Sequence, residues 1–148
     1  MLDKIRKLIQ EHKPIRTTLY GDSICEVGRS PTYFGGASCA AQNWGQQLGR
    51  LLQKHYPTSP FTVTHFAIGG QNSFEGLGRL DGLAEHQPDL VLLSFGANDC
   101  GYHFLPPEAT YQAQRELIGV TRGRFGADFV VIAMGGENPL FPTWRHPE

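Results

Sequence analysis

The sequence predicts an α/β fold built on a parallel sheet. Short apolar runs alternate with longer amphipathic stretches along the chain. Two of the runs, "DLVLLSFG" and "DFVVIAMGG", are apolar almost without a break, as strands covered on both faces are. Each run ends in small, polar residues: "GDS", "AIGGQNS", "GAND" and "GGENP". At 148 residues the chain suits one domain with a real core and is short for two.

The elements follow in order. "MLDKIRKLIQEHKP" places Leu2, Ile5, Leu8 and Ile9 at helical spacing. "RTTLYGD" reads as a strand ending at Gly21, followed by a polar, Gly-rich loop over residues 24–42. "NWGQQLGRLLQKHY" is a helix with Trp44, Leu48, Leu51 and Leu52 on one face and Asn43 as its N-cap. "FTVTHFAI" is a β-branched and aromatic strand. "SFEGLGRLDGLAEHQ" reads as a helix weakened by three internal glycines, with Pro88 just beyond it. "DLVLLSFG" is the third strand. "PPEATYQAQRELIGVTRGRF" is a long helix opened by Pro106 and Pro107. "DFVVIAMGG" is the fourth strand. This alternation predicts parallel strands joined by right-handed crossovers.

Composition narrows the function. The chain is 40% hydrophobic and 18% charged, with a net charge of −1, which excludes the basic balance of a nucleic-acid binder. No apolar run approaches the length of a membrane span. The N-terminus lacks the apolar core and cleavage site of a secretory signal, so a cytoplasmic location is expected. Three cysteines, Cys25, Cys39 and Cys100, without a CxxC pair point to free thiols, neither a disulfide framework nor a zinc site.

In parallel α/β sheets ligands bind beyond the carboxyl ends of the strands. Taken singly, each strand end has an ordinary explanation in turn and capping chemistry. Taken together they supply the parts that acyl transfer requires: a nucleophile and donors aimed at a developing oxyanion. Ser23 is a hydroxyl at the end of the first strand. Gly70 follows the second strand, where a bare backbone N–H can approach a substrate closely. Asn98 follows the third and carries an amide donor.

These blocks resemble those of the SGNH, or GDSL-type, hydrolases. "LYGDSICEVG" looks like the first block, with the family serine on Ser23. "HFAIGGQNSFEGLGRL" looks like the second. Its G-x-x-S-x-x-G-L-x-R-L run places the family glycine on Gly70 rather than Gly69. "LVLLSFGANDC" looks like the third, with the asparagine on Asn98. The resemblance runs from about residue 17 to about residue 135 in the family's order. It implies a flavodoxin-like α/β/α sandwich, here with about four strands. It further implies hydrolysis of small-molecule carboxylic esters or thioesters without a metal or nucleotide cofactor. Asp22 is expected to hold the serine turn and Asp99 the Asn98 loop, neither acting as the triad acid.

The family's fourth block, D-x-x-H after a fifth strand, has no full counterpart. His146-Pro147 matches its end, but Thr143 stands where the aspartate belongs. His146 is therefore the candidate base. The reading is of a single domain over residues 1–148 that stops short of the last block, either a piece of a longer enzyme or a short variant without catalysis. Both leave a sheet edge open to pairing, hence to homo-oligomers. Two further functional classes compete with an esterase. A non-catalytic acyl- or sugar-binding module fits the absent D-x-x-H. A flavodoxin-like nucleotide-binding domain lacks G-x-G-x-x-G after the first strand and a Walker lysine.

Overall fold

The computed structural model describes residues 2–26 and 44–132. Within them strands β1 (Ile15–Gly21), β2 (Phe61–Ala67), β3 (Leu90–Ser94) and β4 (Asp128–Val131) form one parallel sheet in the order β2-β1-β3-β4. The helices are α1 (Asp3–Gln10), α2 (Trp44–His55), α3 (Ser73–Gly78), α4 (Ala97–Gly101) and α5 (Pro107–Phe125), with a 3₁₀ helix over Leu80–His86. The expectations for Cys39, Asn43 and His146 concern residues outside the described ones.

Side-chain alternation along the strands sorts the core into two layers. Ile15, Leu19, Leu90 and Leu92, with Val63 and Val130, form one face. Leu2, Ile5, Leu8 and Ile9 of the N-terminal segment, with Trp44 and Leu48 of α2, cover it. Tyr20, Val91 and Leu93, with Phe66 and Phe129, belong to the opposite cluster. Leu77, Leu80, Leu83 and Leu117 pack there, from α3, the 3₁₀ helix and α5. Leu19, Leu83 and Leu117 have no solvent exposure. Each such leucine contributes about 2 kcal/mol through burial. The result is the expected three-layer α/β/α sandwich with a parallel sheet.

The sheet's register sets where the site forms. Gly21 pairs with Ala67 on one side and Ser94 on the other, so β1, β2 and β3 end side by side. Gly21 is glycine because a Cβ there would lie 2.3 Å from the Ser94 carbonyl oxygen.

The opposite rim is tied by carboxylates. The first turn of α1 has no side-chain cap of its own. Instead the Ile5 N–H donates to Asp128 Oδ2 of β4 at 2.9 Å. Asp89, just before β3, accepts from the Arg16 backbone N–H at 2.9 Å and from the guanidinium at 3.0 and 3.1 Å. Lys4 Nζ of α1 lies 3.0 Å from the same carboxylate. Burial alone would raise the Asp89 pKa. The bonds from Arg16 and Lys4 outweigh it and hold the carboxyl down at about 2, below its ordinary 3.8.

Asp89 therefore contributes stability that is fully present above its unfolded-state pKa and is lost as pH falls through the folded one. The gap between the two values corresponds to about 2 kcal/mol. Asp89→Asn should lose roughly that amount at pH 7, measured by urea unfolding. The difference from wild type should shrink below about pH 4 and vanish toward pH 2. A difference that stays constant across this range would contradict the assignment.

Two elements depart from expectation. The segment after β2 is not one helix: α3 stops at Gly78, Arg79 leaves helical geometry, and a 3₁₀ helix follows. Gly76, Gly78 and Gly82 weaken a continuous α-helix, and the Arg79 side chain is committed to strand-end carbonyls. The short helix α4, directly after β3, is also additional to the expected elements.

Candidate active site

Three loops meet at the carboxyl edge of the sheet. The first is the turn after β1. The Asp22 N–H donates to Ser94 O at 3.3 Å, and Asp22 O accepts from the Cys25 N–H at 3.0 Å. Asp22 Oδ1 accepts from the Ile24 N–H at 3.0 Å. The acid is thus wound into the turn that carries Ser23, and its second oxygen has no partner among the described residues. Burial raises the Asp22 pKa; its bond to Ile24 opposes this, and the nearby Asp99 charge adds to it. Ser23 is half-buried. Beneath it Cys25 is fully buried, which pushes its thiol up to about 11. That thiol is packing, not a nucleophile.

The second loop joins β2 to α3. Ile68 N–H donates to Gly21 O at 3.1 Å, so the loop leaves the sheet beside the serine turn. Gly70 has φ +83°, the left-handed region that glycine adopts at least cost, and a Cβ there would meet nothing within 4 Å. Asn72 then caps α3: its side chain accepts from the Phe74 and Glu75 N–H groups, while Glu75 accepts from the Asn72 N–H at 2.9 Å. This is a capping box with asparagine in the cap position.

The third loop is α4. Asn98 Nδ2 donates to Gln71 O at 2.9 Å, which joins this turn to the Gly70 loop. An amide nitrogen carries two hydrogens, so one remains for another acceptor. Asp99 is fully buried, and both its oxygens lie 3.2 Å from the Ser73 N–H. Its carboxylate therefore reaches across to the start of α3 rather than folding back on the Asn98 turn.

Arg79 knots these loops to the sheet. Its guanidinium donates to Phe66 O and Gly21 O at 2.9 Å each and to the Gln71 side chain. It lies 4.6 Å from the Tyr20 ring centroid and 4.5 Å from that of Phe66. Burial pushes the Tyr20 phenol up to about 12, with Arg79 opposing, and its hydroxyl donates to Gly76 O. Arg79 sits in the G-x-x-S-x-x-G-L-x-R-L run, which was its only signal in the sequence.

The structure thus brings Ser23, Gly70 and Asn98 to one edge. Among the described residues, neither the Ser23 N–H nor the Gly70 N–H has an acceptor. His65 Nδ1 lies 2.7 Å from Cys25 O, beside the serine turn. Cys25 and Cys100 are both free thiols. No helix among the described residues is long and apolar enough to cross a membrane.

A sequence profile described as the GDSL-like lipase/acylhydrolase family matches residues 19–147. The chain belongs to that family. This GDSL-like chain is 34% identical over 124 residues to the rhamnogalacturonan acetylesterase RhgT of Bacillus subtilis, covering 81% of this chain and 49% of that protein. It is 33% identical over 92 residues to an arylesterase of Vibrio mimicus, covering 62% of this chain and 44% of the relative. The GDSL-like chain spans about half the length of the curated relatives it matches. Among solved structures, TesA superposes with a TM-score of 0.66 at 25% identity, over 89% of this chain and 66% of TesA. A two-domain esterase active on acetylated mannans shares the fold, with a TM-score of 0.66 at 20% identity over 88% of this chain and 33% of that one.

Proposed function

We propose that this chain carries the nucleophile and oxyanion donors of a serine ester hydrolase. The observation that supports this best is a cluster of donors, uncommitted among the described residues, beside a half-buried serine. These are the Ser23 N–H, the Gly70 N–H and the second hydrogen of Asn98 Nδ2. In the proposed reaction Ser23 Oγ attacks the ester carbonyl carbon, and its proton passes to a base, for which His146 is the candidate in this sequence. The carbonyl oxygen becomes an oxyanion held by the three donors. Collapse breaks the bond to the alkoxy group, which leaves with the proton from the base. Water then hydrolyses the acyl-serine by the same route. Asp22 and Asp99 shape the loops and do not exchange protons with substrate.

Acetyl esters, on sugars or on aryl alcohols, are the first substrates to try, because the relatives' names specify an acetylesterase and an arylesterase. Asn98→Ala should lower kcat for 4-nitrophenyl acetate roughly 100-fold, about 3 kcal/mol of transition-state stabilisation, with a much smaller change in KM. Wild-type kcat in that variant would remove Asn98 from the mechanism.

One observation favours a second reading. Thr143 stands three residues before His146, at the position of the family aspartate. On that reading the chain binds acyl or acetyl-sugar groups without cleaving them. Saturable calorimetric binding of an acetylated saccharide without acetate release would identify it. Release that depends on Ser23 would exclude it.

A further inference from the structure

The Gly70 donor sits on a loop that Arg79 and Asn98 hold through the next residue, Gln71. Its neighbours are held by Ile68 N–H on Gly21 O and by a long bond, 3.4 Å, from Gln71 N–H to Ile68 O. Gly70 itself has no Cβ to pack and adopts φ +83°. One side chain bonds its carbonyl: His103 Nε2 lies 3.1 Å from Gly70 O. Donation to a carbonyl fixes the proton on Nε2. The same nitrogen lies 3.8 Å from Glu75 Oε2, which also accepts the Asn72 N–H.

His103 is anchored on the other donor's turn. Its backbone N–H donates to Asn98 O at 2.8 Å, a carbonyl shared with the Tyr102 N–H at 3.2 Å. Its ring meets the Tyr102 ring edge-on at 5.0 Å. The next residue, Phe104, holds φ +50° without being glycine, and Leu105 N–H closes the loop onto Asp99 O at 2.7 Å. A bulky residue in the left-handed region is strained and persists only where its surroundings impose it.

We propose that His103 is a positioning residue for the oxyanion hole, stapling the Gly70 loop to the Asn98 turn. Two bonds cross between these loops at the hole: Asn98 Nδ2–H to Gln71 O, and His103 Nε2–H to Gly70 O. Fixing the Gly70 carbonyl restricts rotation about its Cα, on whose other side lies the donor N–H. His103 touches no reacting atom and acts through Gly70. The inference rests on the assignment of Gly70 and Asn98 as donors.

The test compares His103→Leu, which removes the donor, with His103→Gln, whose side-chain amide nitrogen reaches the place of Nε2. His103→Leu should lower kcat for 4-nitrophenyl acetate about tenfold, with KM changed by less than about twofold. His103→Gln should recover kcat to within about threefold of wild type. Both should melt within about 2 °C of wild type, because the histidine is exposed. Amide hydrogen exchange over residues 69–72 should speed up about tenfold in His103→Leu and stay near wild type in His103→Gln. Unchanged exchange in His103→Leu overturns the staple even if the protein does not turn over ester. Faster exchange with wild-type kcat overturns its catalytic purpose, and a glutamine variant that behaves like leucine overturns the hydrogen bond as its cause. Turnover that survives in Ser23→Ala would sink the esterase reading separately and leave the exchange result standing.

Discussion

Ser23→Ala should abolish ester hydrolysis, lowering kcat by roughly 10⁴-fold or more while leaving the fold intact. Both halves of this expectation come from the same turn. The turn is held by Asp22, through its bond to the Ile24 N–H, and by backbone bonds that do not involve the serine hydroxyl. Ser23 is only half-buried, and its Oγ holds no partner among the described residues. Truncation to alanine therefore removes the attacking oxygen and no hydrogen bond to a described residue, and melting should move by less than about 2 °C. The Ser23 backbone N–H survives, so any residual rate reports the oxyanion donors and binding alone. A variant that kept wild-type turnover would place the chemistry elsewhere.

Arg79→Ala should be the most damaging single change to the structure around the site. Three acceptors lose a bond from the guanidinium together: Gly21 O at the end of β1, which among the described residues keeps only the Ile68 N–H, Phe66 O near the end of β2, and the Gln71 side chain. The stacking against Tyr20 and Phe66 is lost as well. Losing these bonds and the stacking together costs about 4 kcal/mol, or roughly 8–16 °C in melting temperature for a chain of this size. Gln71 O is also the acceptor for Asn98 Nδ2, so the surviving folded protein should lose turnover beyond its loss of stability. Arg79→Lys should recover only a minor part, because one ammonium cannot fork to three acceptors. Thermal melts and activity per folded molecule check both statements. An Arg79→Ala protein as stable and active as wild type would show that the knot is incidental.

The sequence revealed the sheet because burial on both faces leaves an unmistakable pattern. Leu90 to Leu93 face alternately into the two core clusters, and all four are apolar. It revealed the candidate site because parallel strands deliver their ends to one edge, so Ser23, Gly70 and Asn98 could be grouped before any coordinates. What stayed hidden depends on partners far away in the chain. Arg79 breaks the expected helix to reach a carbonyl 58 residues earlier, and no local window contains that acceptor. Asp99 was expected to brace the Asn98 turn, and the partner its carboxylate takes, Ser73, lies 26 residues away. The bond from His103 to Gly70 O, 33 residues earlier, likewise lies outside any local window. Helix α4 escaped notice because five residues opening after a glycine give no usable periodicity.

The central claim is that Ser23 is an activated nucleophile. The most direct measurement is intact mass after incubation with a fluorophosphonate, followed by peptide mapping, on wild type and Ser23→Ala. The expected result is one phosphonyl adduct on wild type, mapped to Ser23, and none on the alanine variant. Folded wild-type protein that stays unmodified, or an adduct that survives in Ser23→Ala, would contradict it.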